Sequence, residues 1–292
     1  MKEKIMLSIV IVSYNCLDIL KRCLDSIFQF NDIGEELEVI VVDNSDNFET
    51  VECLKVTYRD VVCIKNINRG FGEANNVGAK VASGEYLLFL NPDTLIISPF
   101  FSRILKEFEI KKRLCFGVQL LDKKQNRTTS FGLIHPLGFK GVFLGKLFQF
   151  FNIFVPSKMF ISGADIFIKK QLFFDINMFD ESVFMYFEES DLFIRLLSKK
   201  IKGSFLKKYK IVHLEGGASS GDNLKKYQMQ IHSYISVCNK NGINLKKQLL
   251  KELRYRKIIL KISSLFRQKD KRNNYFAICS FLEEKIDEVL NA

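Results

Sequence analysis

Apolar residues fall along the chain in two kinds of run. Leu7 to Ser13 (LSIVIVS) and Leu37 to Asp43 (LEVIVVD) are short, β-branched and nearly uninterrupted, as expected of strands covered on both faces. Between them Leu17, Leu20, Leu24, Ile27 and Phe28 recur at three- and four-residue steps, the buried stripe of an amphipathic helix. This is a β-α-β unit. A helix over Glu73 to Ala82, stopped by Gly84, leads into a further buried strand, Tyr86 to Leu90. Parallel strands require such crossovers, so the pattern predicts an α/β sheet. Ligands of open α/β sheets bind beyond the carboxyl ends of the strands. The residues delivered there are Ser13-Tyr14-Asn15, Asp43-Asn44-Ser45 and Asn91-Pro92-Asp93.

Further along, a helix over Phe101 to Lys111 precedes a strand at Phe116 to Leu121. Gly132 to Pro156 is rich in Phe, Leu, Ile and Val without a clean period; it reads equally as a core insertion or as a loop facing an acceptor or a membrane. Asp222 caps a helix bearing Leu224, Tyr227, Ile231, Tyr234 and Cys238 on one face, and Gly242 ends it. The next helix, about Leu245 to Phe266, sets Tyr255, Ile258, Ile259, Ile262 and Phe266 on one side and Lys251, Arg254, Lys257 and Lys261 on another, which makes it basic and amphipathic. The expected organisation is an α/β domain over 1–220 followed by a helical, basic extension over 221–292.

Composition narrows the class. With 292 residues, 47% hydrophobic, 26% charged and a mean hydropathy of +0.03, the chain has material for a large core, and extensive disorder is excluded. Seven cysteines without a C-x-x-C pair point to free thiols in a reducing compartment. The apolar run Ile5 to Val12 is short and lacks a small-residue cleavage site, so it reads as a first core strand. Leu147 to Val155 is interrupted by Gln149 and Asn152 and falls far short of the ~20 residues that span a bilayer. The expected location is cytoplasmic, free or peripheral to the inner face of the cell membrane. Net charge is +11, but Ile194 to Arg272 alone carries +17 and the remainder −6. That basic field suits nucleic acid, anionic lipid or an anionic substrate, or is simply a solvated lysine surface.

Several chemistries lose their signature. There is no G-x-G-x-x-G after the first strand, no G-x-x-x-x-G-K-[ST], no G-x-S-x-G and no H-E-x-x-H. No RRM, zinc-finger or helix-turn-helix pattern accompanies the basic stretch, so nucleic acid is not an expected partner. What remains is carboxylate chemistry. Asp43 closes a buried strand, where it could serve a base, a ribose or only a turn. Asp93 stands past Pro92 beyond the sheet edge, placed to hold a hard divalent ion shared with phosphate oxygens. Glu188, Glu189 and Asp191 cluster beside Phe184-Met185-Tyr186-Phe187. They form an acid-rich first helical turn with Asp191 spaced to pair Arg195, and a carboxylate desolvated by aromatic rings can act as a general base.

These blocks, in this order, resemble the inverting family 2 glycosyltransferases, in particular the bacterial rhamnosyltransferase-like branch: SIVIVSYN (8–15), VVDNS (41–45), NRGFGEANNVG (68–78), GEYLLFLNPDT (84–94), SGAD (162–165), FDESVFMYFEESDL (179–192) and HLEGGAS (213–219). The resemblance covers about 1–220 and implies a GT-A fold, a Rossmann-like nucleotide-binding half and an acceptor half around one mixed sheet. It implies a nucleoside diphosphate sugar donor, dTDP-rhamnose as first guess and a UDP-hexose otherwise, and a glycan or lipid-linked glycan acceptor. Position by position, it puts Ser13, Tyr14, Asn15 and Asp43 at the base and Asn68, Gly70 and Asn75 along the ribose and diphosphate. Asn91 and Asp93 fall on the D-x-D element, with Asp93 on Mg2+ or Mn2+ and His213 able to add a metal or diphosphate contact. Glu189 takes the place of the catalytic base, with Glu188 and Asp191 as competitors. Asn91 departs from the first acid of D-x-D, and Glu189 stands where Asp is commoner. The family also implies an anionic membrane surface as partner of Leu245 to Arg272, with Phe139 to Val155 as a second contact, unless the Tyr255 face packs on the catalytic domain or a second protomer. The competing reading is a catalytically inactive subunit of a glycan-assembly complex.

Overall fold

The computed structural model describes residues 6–214, 223–265 and 269–291. The Asp222 cap, Phe266 and the Glu215 to Ser219 part of the His213 block lie outside the described residues.

The first half of the chain winds as its pattern predicts. Strands β1 (Leu7–Ser13) and β2 (Leu37–Asp43) pair in parallel in a register that sets Ser13 beside Asp43. Helix α1 (Leu17–Gln29) makes the crossover, burying Leu20, Leu24 and Ile27. β4 (Tyr86–Leu90) joins the other side of β1, also in parallel. Along β1, Ile9 and Ile11 enter one core while Val10 and Val12 enter the core on the opposite face, which explains why the strand carries almost no polar residue.

Eight strands complete the sheet. β3 (Val61–Lys65) lies outside β2 and sets Lys65 next to Asp43. On the far side, β9 (Asp165–Lys169) runs antiparallel to both β4 and β6 (Cys115–Leu121). β10 (Ser204–His213) follows parallel to β6, and β5 (Thr94–Ile96) closes the edge antiparallel to β10. The order is β3-β2-β1-β4-β9-β6-β10-β5. Helices α1 and α4 (Phe101–Glu109) cover one face; α3 (Phe71–Val81), α6 (Lys170–Asp175) and α7 (Glu188–Ser198) cover the other. α3 lies close on the sheet at Gly78, where an added Cβ would overlap Val10 and stand 3.2 Å from Val42.

Several elements differ from expectation. Helix α2 (Glu49–Thr57) and β3 form a further α-β pair that the pattern leaves unmarked, because β3 is five residues long and Val62 faces out. The aperiodic Gly132 to Pro156 region is an ordered unit. β7 (Phe131–Leu133) pairs with β8 (Met159–Ile161), and α5 (Gly138–Phe150) lies between them in sequence. Its period is hidden because its outward face is apolar too. After the sheet, α8 (Asn223–Lys240), α9 (Leu245–Leu265) and the unforeseen α10 (Lys269–Asn291) enclose a separate core that includes Tyr227, Ile231, Tyr234, Leu249 and Leu282. The packed face of α9 is Leu245, Leu249 and Leu253, while Ile258 and Ile262 on the Tyr255 side are exposed. No described helix is long and apolar enough to cross a membrane.

Candidate active site

Strand register assembles the first wall. Because β1, β2 and β3 end level, Ser13, Asp43 and Lys65 stand in a row. Asp43 is fully buried and turned inward: its carboxylate accepts from Ser45 Oγ at 2.7 Å and from Lys65 Nζ at 3.0 Å. These two bonds are the side-chain contacts that Asp43, expected at the base, makes in the structure. Its oxygens are committed to the loop, which Ser45 extends by accepting from the Asn15 N–H at 2.8 Å. Asn15 itself takes a left-handed backbone, φ 49°, which asparagine adopts more readily than most residues. Exposed at this corner are Tyr14, Asn15 and Asn68, while Ser13 is buried and accepts the Asn44 N–H through its carbonyl at 2.8 Å.

The glycine at the head of α3 explains the next feature. Gly70 has φ 119°, and a Cβ there would overlap the Phe184 carbonyl and lie 2.8 Å from Phe184 Cα. The Phe71 N–H donates to that carbonyl at 2.9 Å. Asn75, expected along the ribose and diphosphate, is buried, and its amide donates to the Phe71 carbonyl at 3.0 Å. Its neighbour Asn76 clamps the 179–187 loop, donating to the Phe179 carbonyl at 2.9 Å and accepting the Phe179 N–H at 3.0 Å.

Asp93 and His213 converge at the sheet edge. β10 pairs His213 opposite Thr94, the Leu214 N–H reaches the Asp93 carbonyl at 2.8 Å, and Asp93 Oδ1 lies 3.1 Å from His213 Nε2. Both side chains are partly open. One carboxylate and one imidazole fit a divalent ion whose other ligands are phosphate and water oxygens; among the described residues no group of three or more His, Cys, Asp or Glu side chains gathers. Pro92 ends the ladder, and the Asn91 N–H donates instead to the Ala164 carbonyl at 3.1 Å.

That bond leads to the acidic cluster. Gly163, next to Ala164, donates its N–H to Glu189 Oε1 at 2.9 Å. Glu189 faces a cleft of about 380 Å3 whose walls include Tyr186, Phe187, Gln230 and, from α5, Lys146 and Gln149. Burial raises the Glu189 pKa above the ordinary 4.5, as suits a group that must take a proton near neutral pH. Its two competitors are placed otherwise. Glu188 is buried, its pKa raised by burial and by the adjacent Glu189 charge. Asp191 is buried and held by Arg195 at 2.6 Å and by the Asn241 amide at 2.9 Å. The loop before them is strained: Tyr186 and Phe187 have φ 68° and 66°, each costing roughly 1–2 kcal/mol. The C-terminal helices offset this strain. Phe187 packs on Tyr234, ring centroids 4.9 Å apart, and Ser233 Oγ donates to the Met185 carbonyl at 2.7 Å.

Sequence reasoning missed Lys65, Asn76 and Gly163 as site-building residues. The signal for Lys65 was its register position beyond Asp43, and for Gly163 its place beside Ala164 in SGAD.

The family model described as glycosyl transferase family 2 matches residues 8–173. The rhamnosyltransferase WbbL of Escherichia coli K12 is 24% identical over 71% of this chain and 83% of its own length. The Escherichia coli UDP-Glc:alpha-D-GlcNAc-diphosphoundecaprenol beta-1,3-glucosyltransferase WfaP is 28% identical over 37% of this chain and 43% of its own length. Across the curated relatives it matches, the chain spans from 12% to 83% of their lengths. Among solved structures, GalNAc-T7, crystallised with UDP, GalNAc and Mn2+, superposes with a TM-score of 0.57 at 16% identity, covering 80% of this chain and 48% of that one. The fold is thus GT-A, with the three C-terminal helices added to its mixed sheet.

Proposed function

Since the chain belongs to glycosyl transferase family 2, we propose that it transfers a sugar, with inversion, from a nucleoside diphosphate sugar to a hydroxyl of a growing surface glycan carried on a lipid. One observation carries this reading. The Asn91–Ala164 and Gly163–Glu189 hydrogen bonds tie the Asp93–His213 pair to the carboxylate in the cleft through adjacent residues of one backbone segment.

The donor's base and ribose lie against Tyr14, Asn15 and Asn68, on a loop that Asp43 and Lys65 hold in place. The diphosphate reaches the Gly70 turn and Asn91. Asp93 and His213 would hold Mg2+ or Mn2+, and the ion, when bound, would supply positive charge against the diphosphate. The acceptor occupies the cleft, where Lys146 and Gln149 offer hydrogen bonds to its hydroxyls. Glu189 takes the proton from the attacking hydroxyl as its oxygen bonds the anomeric carbon. The bond from that carbon to the diphosphate breaks in the same displacement, and the electron pair leaves with the nucleoside diphosphate. No covalent enzyme intermediate is needed.

dTDP-rhamnose is the first donor to test, because WbbL is a rhamnosyltransferase matched over most of its length; UDP-hexoses follow. The diphosphoundecaprenol acceptor in the name of WfaP supports a lipid-linked acceptor, and with it a place at the cytoplasmic face of the cell membrane. The catalytic unit spans 1–220, and the helices of 221–292 buttress the strained loop before Glu189. The test is a panel of nucleoside diphosphate sugars with Mg2+ or Mn2+, reading thermal shift and donor hydrolysis with and without EDTA. One donor should give a metal-dependent shift and slow hydrolysis, and Glu189→Gln should bind that donor without turnover. A folded protein that answers to no donor overturns the proposal.

A further inference from the structure

Helix α5 presents different chemistry on its different faces. Val142, Lys146 and Gln149 look into the cleft that holds Glu189, while Leu144 and Phe148 turn toward the body of the protein. On the side away from both, Phe139, Phe143, Leu147 and Phe150 recur at three- and four-residue steps and are exposed, Phe139 by 64% and Phe150 by 74%. Phe151 and Ile153 continue the patch past the helix end. A row of open aromatic side chains is more than a scattered surface residue. The helix is also firmly seated: Gly138 donates its N–H to Glu252 of α9 at 2.7 Å, and Glu252 is held in turn by Tyr227 and Arg256. Phe139 meets Tyr255 with ring centroids 6.5 Å apart, and along α9 the apolar surface continues through the exposed Ile258 and Ile262.

Charge identifies what covers this face. Between Asp122 and Asp165 the chain carries six cations and no acid, and on the helix wheel Lys140 and Lys146 flank the phenylalanine stripe on its two sides. Exposed Arg254 and Lys261 border Ile258 and Ile262, while Lys257 beside them is paired with Glu283 at 2.6 Å. A two-fold contact between copies would oppose these cations to one another, whereas lysines beside a phenylalanine stripe match an interface of anionic headgroups over acyl chains. We infer that the outer face of α5, with Ile258 and Ile262 of α9, docks on an anionic lipid bilayer and holds the acceptor cleft beside the membrane surface. This rests on the proposed lipid-linked acceptor, and it moves the main membrane contact from the basic tail to the phenylalanine helix.

The test is co-sedimentation of the full chain with phosphatidylglycerol–phosphatidylcholine vesicles and with pure phosphatidylcholine vesicles, at low and high salt. The wild type should bind the anionic vesicles, and less at high salt. The triple variant Phe139→Ser, Phe143→Ser, Phe151→Ser should lose about tenfold or more in bound fraction, and Lys140→Glu should weaken binding further. Donor hydrolysis without vesicles, measured on the same proteins, should be unchanged, which separates failure of docking from failure of the catalytic reading. Wild-type binding by the triple variant, absence of wild-type binding, or a wild-type dimer that the triple variant converts to monomer would each overturn the inference.

Discussion

Gly163→Ala tests the position of Glu189 without touching its chemistry. The Gly163 N–H donates to Glu189 Oε1 at 2.9 Å, and a Cβ on Gly163 would overlap that oxygen and stand 3.0 Å from the carboxyl carbon. Because the overlapped atom ends a flexible side chain, the fold can yield by swinging the carboxylate aside. The cost to stability is then the lost hydrogen bond, roughly 1.5–3 kcal/mol at most. Catalysis is less forgiving. A displacement of about 1 Å at a reacting group can cost on the order of 100-fold, and general-base catalysis as a whole contributes ~100- to 10,000-fold. The expected loss in kcat is therefore about 100-fold, or about 2.7 kcal/mol, with donor affinity unchanged. Gly145→Ala is the control: it lies in the same cleft, but its Cβ meets nothing nearer than Leu133 at 3.8 Å. Initial rates of nucleoside diphosphate release at saturating donor, with thermal melts of both variants, decide the matter. A Gly163→Ala protein with wild-type kcat would refute the assignment of Glu189, in its observed position, as the base.

Four further outcomes follow from the structure. As the proposed base Glu189 would work as a carboxylate, and burial raises its pKa, so kcat should fall as pH drops, with a midpoint above 4.5 in a pH–rate profile. Asp165 is fully buried at the sheet centre, accepts the Val118 N–H at 2.5 Å, and burial raises its pKa well above 3.8. The folded state holds that proton more tightly than the unfolded chain, so the stability it carries is present below about 3.8 and is lost as pH rises toward the folded pKa; Asp165→Asn should flatten this fall in melts from pH 4 to 8. Lys65→Met leaves Asp43 buried without its cation and should cost roughly 3 kcal/mol in urea unfolding. Tyr234→Ala removes the ring beneath Phe187, and should lower kcat while leaving donor binding, by calorimetry, near the wild-type value.

The sheet was legible because its buried strands carry few polar residues, and β1, β2 and β4 announce themselves by that constraint. β3 was not, since an edge strand with Val62 facing out escapes it. Periodicity reports apolarity, not partners: α9 has two apolar stripes, and only the observed packing tells that Leu249 is covered and Ile258 is open. The same limit applies at the site. Motif order singled out Asp93, His213 and Glu189 as candidates, but the pairing of Asp43 with Lys65 and of Asp191 with Asn241 depends on neighbours distant in sequence.

The bonds from Asn76 to Phe179 and from Phe71 to Phe184 bear on how such enzymes can be recombined. A chimera that joins the amino-terminal part of this chain to the carboxyl-terminal part of a relative at residue 177 would replace one partner of each, and would set a foreign loop against the Gly70 turn, where a side chain in place of glycine would overlap residue 184. On the proposed function, exchanging acceptor specificity means grafting the wall over 131–161 and leaving 68–78 and 179–192 together as one inherited block.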